Sequence, residues 1–91
     1  MTKILIDLCL NDFPYETLNE FTDQFNVKTT KPQLINFPSP SDTEYYILEG
    51  SNENLTNCLT EYGFDDESID DTIKTYSDET ILDEILKNHS K

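Results

Sequence analysis

Two periods alternate along this chain, one of two residues and one of three to four, and together they predict its elements. Residues 3–10 (KILIDLCL) are nearly continuous in apolar side chains, with Ile4, Ile6, Leu8 and Leu10 on one face and Leu5 and Cys9 on the other. Hydrophobicity on both faces predicts a central strand covered from two sides. Asn11 and Asp12 then supply turn and capping oxygens, and Pro14 suits a first helical turn. Leu18, Phe21 and Phe25 follow at spacings of three and four, while Glu16, Glu20 and Asp23 face away, so a helix is predicted over residues 13–26. Residues 27–31 (VKTTK) are β-prone but short, and Pro32 stops them or confines them to an edge. Residues 33–37 (QLINF) predict a second strand, ended by Pro38 and Pro40, which cannot donate to a ladder. Residues 43–48 (TEYYIL) predict a third strand, antiparallel to the second across a rather long loop.

The second half is helical in period. Gly50 breaks the third strand, and Ser51 or Asn52 can cap a helix whose apolar stripe is Leu55, Cys58, Leu59 and Tyr62. Gly63 supplies the left-handed residue that ends such a helix, with Phe64 placed to pack back over it. Residues 65–76 admit two readings. Asp65, Asp66, Glu67 and Ser68 can cap a helix carrying Ile69, Ile73 and Tyr76, whereas residues 72–76 (TIKTY) can form a fourth strand and complete a ferredoxin-like unit. The capping run favours the helix. A last helix is marked by Ser77 as cap, Asp78 and Glu79 in its first turn, a core face of Ile81, Leu82, Ile85 and Leu86, and Lys87 and Lys91 at its end. The predicted fold is α+β: one domain over residues 1–91, a small β-α-β-β-α core and a helical C-terminal region, with the ferredoxin-like variant as the alternative.

Composition changes this picture little. Hydrophobic residues are 35% of the chain, which is low, but five Phe and five Tyr at regular spacing argue for a folded domain and against disorder. A chain this short buries only about 60–65% of its unfolded surface, which leaves little volume for an internal active-site cavity. Cys9 and Cys58 are too few for a disulfide framework and both fall on core-facing positions, so free thiols of a reducing compartment are expected. Asp7 interrupts an N-terminal run already too short for a signal peptide, and no run approaches the ~18 apolar residues of a membrane span. The expected location is the cytoplasm.

Charge changes the picture a great deal. The formal net charge is −13, with no arginine and six lysines among nineteen acids. Such a chain repels nucleic-acid phosphates and anionic membranes, and its natural partners are proteins with basic grooves. Twelve of the acids lie between Glu49 and Glu84 against one base, Lys74. The candidate partner-binding residues are Glu49, Glu53, Glu61, Asp65, Asp66, Glu67, Asp70, Asp71, Asp78 and Glu79. Tyr46 joins them as the candidate aromatic anchor, because Tyr45 and Tyr46 point to opposite faces of one strand and one of them should face solvent.

Catalytic chemistry is missing. His89, the one histidine, is expected in a fraying tail, away from any Ser or Cys nucleophile of the folded body. Read as a calcium loop from Asp66, the run DDESIDD carries Asp71 where glycine is required and Ser77 where glutamate is required. Gly50 and Gly63, the two glycines, build no phosphate loop. No catalytic residue, metal ligand or cofactor site is therefore expected, and no enzyme.

The charge itself suggests a use. A helix rises 1.5 Å per residue and duplex DNA carries one phosphate charge per ~1.7 Å of axis. Acid pairs such as Asp65/Asp66, Asp70/Asp71, Asp78/Glu79 and Asp83/Glu84 can approach that linear density. In size, composition and charge the whole chain resembles the small acidic inhibitors that phages use against host nucleases, including DNA-mimic restriction inhibitors and anti-CRISPR proteins. The resemblance is one of physical type, without a shared motif, and it implies occlusion of a nucleic-acid site in the host cytoplasm by a non-catalytic monomer or homodimer. Two other readings fit the same composition: an immunity protein or antitoxin for one dedicated toxin, and a structural or regulatory adaptor with no basic partner. A charge run also serves simply to keep a small domain in solution. The acid excess of −4 over residues 1–45 against −9 over residues 46–91 favours a patch.

Overall fold

A computed structural model describes residues 1–8, 18–32, 34 and 44–89. In chain order these hold β1 (Thr2–Leu8), α1 (Leu18–Asp23), β2 (Lys28–Thr30), β3 (Glu44–Gly50), α2 (Asn52–Tyr62), α3 (Asp66–Tyr76) and α4 (Glu79–His89). The fold is α+β. The three strands form one antiparallel sheet in the order β1-β3-β2. Within it, Ile4 faces Leu48 and Leu5 faces Ile47 across β1 and β3, and Lys28 faces Glu49 across β2 and β3.

Side-chain alternation divides this sheet into two faces. Ile4, Ile6 and Leu8 of β1 share the first face with Leu48 and Tyr46 of β3. They merge with Leu18 and Phe21 of α1, Leu55, Cys58 and Leu59 of α2, and Ile69 and Ile73 of α3 into a single buried cluster. Lys3, Leu5 and Asp7 point to the second face with Tyr45, Ile47 and Glu49. Leu5 is only 4% exposed, yet it lies outside that cluster. The expectation of a two-sided strand holds, whereas the expectation of a central one does not. Among the described strands β3 is in the middle and β1 at an edge, and α3 and α4 pack on β1. Among the described residues, packing of α3 and α4 on β1, and not a second ladder, accompanies its apolar residues on both faces.

Local signals explain the helix ends. Ser51 Oγ accepts from the Asn54 amide at 3.1 Å and starts α2. At the other end Gly63 takes φ of 124°, and the amides of Gly63 and Phe64 both reach back to the Leu59 carbonyl at 3.1 and 3.0 Å. Phe64 stacks on Tyr62 with ring centroids 5.4 Å apart. Asn26, with φ of 57°, does the same job after α1, where the Val27 amide bonds to the Thr22 carbonyl at 3.1 Å. Asparagine tolerates the left-handed region through its short polar side chain, so α1 ends at Asp23, earlier than predicted. The start of the predicted helix, including Pro14 and Glu16, lies outside the described residues, as do Cys9, Leu10 and all of the predicted second strand except Leu34. The strand that pairs with β3 on that side is Lys28–Thr30, the short β-prone stretch ahead of Pro32. A 2.7 Å hydrogen bond between the Thr22 and Thr29 hydroxyls ties it to α1.

Residues 72–76 are helical, which removes the ferredoxin-like alternative. They end α3, whose Ile69 and Ile73 are buried and whose Asp65 cap accepts from the Ser68 amide at 2.7 Å. One cap is assigned differently by the structure. Ser77 closes α3 instead of opening α4, its amide bonding to the Ile73 carbonyl at 2.9 Å and its hydroxyl donating to the Lys74 carbonyl at 2.7 Å. Asp78 opens α4, accepting from the Thr80 amide at 3.1 Å and the Thr80 hydroxyl at 2.7 Å. Of the expected core face of α4 only Leu82 is fully buried; Ile81, Ile85 and Leu86 are half-buried.

Candidate acidic binding surface

The acids of α3 and α4 fall where helical geometry keeps them off the core. At 100° per residue, Asp66, Asp70, Glu67 and Asp71 span an arc of roughly 140° on α3, beside and opposite the buried Ile69 and Ile73. Lys74 sits in the middle of that arc. On α4, Glu79, Asp83 and Glu84 span an arc of the same width, and Lys87 again sits within it. All these acids are exposed, as are Glu53, Glu61, Asp65 and Asp78. α2 contributes less, because Asn and Thr occupy most of its outer positions and only Glu53 and Glu61 are charged. The dense charge therefore belongs to α3 and α4.

Several of these carboxylates also support the fold. Asp65 is held below the usual carboxylate range by the Ser68 amide and then the Ser68 hydroxyl. Asp78 is lowered by the Thr80 hydroxyl and then the Thr80 amide. Glu53, Asp66, Glu67 and Glu79 lie in first helical turns, where negative charge complements the helix dipole. Neither capping nor the dipole requires Asp70, Asp71, Asp83 or Glu84. None of the ten candidate acids is ion-paired among the described residues, where the exposed Lys31–Glu44 pair, at 2.9 Å, lies on the sheet instead.

Two candidates are placed away from this surface. Glu49 is half-buried on the second face of the sheet, with Lys3 opposite it on β1 and Lys28 opposite it on β2. That register sets it between two lysines in a row of alternating sign. Tyr46 lies on the core side, half-buried against the main cluster, and its hydroxyl donates to Glu44 Oε2 at 3.1 Å. Burial, with the Glu44 hydrogen bond, pushes the Tyr46 hydroxyl above its usual range, and Lys31 lowers Glu44 in turn. Tyr45, on the opposite face, is half-buried as well, so neither tyrosine is a fully exposed anchor.

The structure brings together a group that spacing alone does not reveal. Lys3 and Glu49 from the sheet, Tyr76 from the end of α3, and Glu79, Leu82 and Asp83 from α4 line a groove of about 430 Å³. Its walls come from both ends of the chain, so strand register and helix placement had to be known first. No three His, Cys, Asp or Glu side chains converge as a metal-binding group among the described residues, and no described helix is long and apolar enough to cross a membrane. No family model, curated protein or solved structure matches the chain.

Proposed function

We propose that this chain is a non-catalytic inhibitor that occupies the basic nucleic-acid-binding groove of a host protein or nuclease, as anti-restriction and anti-CRISPR proteins do. The observation that supports this reading is the pair of acidic arcs on α3 and α4, which no lysine of the described residues neutralises by ion pairing. Asp70, Asp71, Asp83 and Glu84 carry it best, since no local structural need accounts for them. On the sheet, by contrast, Lys3, Lys28 and the adjoining Lys31 are matched by Asp7, Glu44 and Glu49. The uncompensated negative charge is thus concentrated on the helices, and a basic partner would be drawn to them. Glu49 and Tyr46 take no part in this contact.

The test is capture of host-lysate proteins on the immobilised chain at low and at high salt, followed by competition between the recovered partner and duplex or single-stranded nucleic acid. The expected result is a basic nucleic-acid-binding protein, recovered at low salt, released at high salt and displaced by nucleic acid. Replacing Asp66, Asp70 and Asp71 with Lys should abolish its recovery. Capture that ignores both salt and this charge reversal would show the adaptor reading to be the right one.

A further inference from the structure

α4 is attached differently from the other helices. α1, α2 and α3 each place two or more side chains in the main buried cluster, whereas α4 places none there. Its one fully buried residue, Leu82, stands outside the cluster, as does Leu5 on the second face of β1. α4 packs on β1 and α3, and its Glu79, Leu82 and Asp83 share a groove with Lys3 and Glu49, whose side chains belong to that second face. The helix therefore lies along β1 on the second-face side of the sheet, beside Tyr76 at the end of α3.

Most of its charge works against this attachment, with Lys3 in the groove as the opposing positive charge beside Glu79 and Asp83. Asp78, Glu79, Asp83 and Glu84 accompany one described lysine, Lys87, and the adjoining α3 carries Asp66, Glu67, Asp70 and Asp71 with Lys74. Neither Lys74 nor Lys87 forms an ion pair among the described residues. Like charges on neighbouring helices repel over a Debye length, which shortens from roughly 20 Å at 20 mM salt to about 4 Å at 500 mM. The joint is also short and self-contained: Ser77 completes the hydrogen bonds of α3 and Asp78 those of α4.

We propose that α4 is a detachable strap whose docking on the second face of the sheet is set by ionic strength. At low salt it undocks before the rest of the domain unfolds and uncovers Leu5 and Leu82. Screening the acids of α3 and α4 seats it. The inference concerns the free protein and does not depend on the identity or existence of a basic partner.

Native-state amide hydrogen exchange of the full chain in NaCl tests it. At about 20 mM salt the amides of Leu82 to Leu86 should exchange at least about tenfold faster than those of Leu55 to Leu59 in α2, as expected of a separate low-stability unit. At about 500 mM that ratio should shrink by about threefold or more. The double variant Asp83→Asn/Glu84→Gln should slow α4 exchange at low salt and flatten its salt response, leaving α2 unchanged. Equal protection of α4 and α2, or a ratio that does not move with salt, would overturn the proposal.

Discussion

Replacing Leu55 with Ala tests where the stability of this fold resides. Leu55 is the apolar centre of α2 and has no exposed surface. The substitution removes three carbons, worth about 2.4 kcal/mol in transfer at about 0.8 kcal/mol each. The unfilled space raises the cost to about 3–4 kcal/mol, within the range measured for buried Leu→Ala changes. A domain of this length has a total stability of roughly 5–14 kcal/mol, so one side chain accounts for a large share of it. At roughly 4–8 °C per kcal/mol the melting temperature should fall by about 12–30 °C. Urea titrations at fixed high salt, followed by far-ultraviolet circular dichroism, measure the loss. Leu82→Ala is the informative contrast, because it removes the same carbons from a residue that is 5% exposed but outside the main cluster. Its global cost should stay under about 1–2 kcal/mol, because only the docking of a separately opening unit is lost. A Leu55→Ala loss below about 1 kcal/mol would refute the enclosure of that side chain. A Leu82→Ala loss equal to it would show that α4 belongs to a single cooperative core.

Two titrating groups yield further expectations. The Asp65 carboxyl lies below its ordinary range because it accepts from Ser68, so its contribution is present above the unfolded carboxylate value of about 3.9 and is lost as pH falls through the folded one. Asp65→Asn keeps a capping acceptor without the titration, and helical signal followed in acid should fall less for this variant than for the parent; matching acid profiles would refute the assignment. The Cys58 thiol is 1% exposed and pushed up to about 11 by burial. In a Cys9→Ser background it should resist a thiol reagent at pH 8 until urea unfolds the chain. Because the unfolded thiol releases its proton first, stability should fall as pH rises from about 8.5 towards the folded value. Fast labelling of the native protein would contradict this burial.

What the sequence determined by itself is what depends on neighbours a few residues away. The stripe Leu55, Cys58, Leu59 and Tyr62, the Ser51 cap and the Gly63 terminus are satisfied within one helix, so α2 was legible from end to end. Asp65 and Ser68 made α3 legible in the same way, even against the β-prone run that closes it. The Asn26 terminus carried a weaker signal, because asparagine enters the left-handed region less freely than glycine. Tertiary structure decided whatever depends on which element lies beside which. Apolar residues on both faces of β1 reveal burial but not its source, so β1 could be placed at the centre or at an edge until its pairing with β3 and its contacts with α3 and α4 were known. The candidate surface divides along the same line. Helical period assigned Asp66, Asp70 and Asp71 to an outer arc, whereas only strand register placed Glu49 between Lys3 and Lys28 and turned Tyr46 inward. Capping and helical period act through a few adjacent peptide units, while strand pairing and helix docking depend on contacts between distant segments, and their geometry is fixed only when those segments pack.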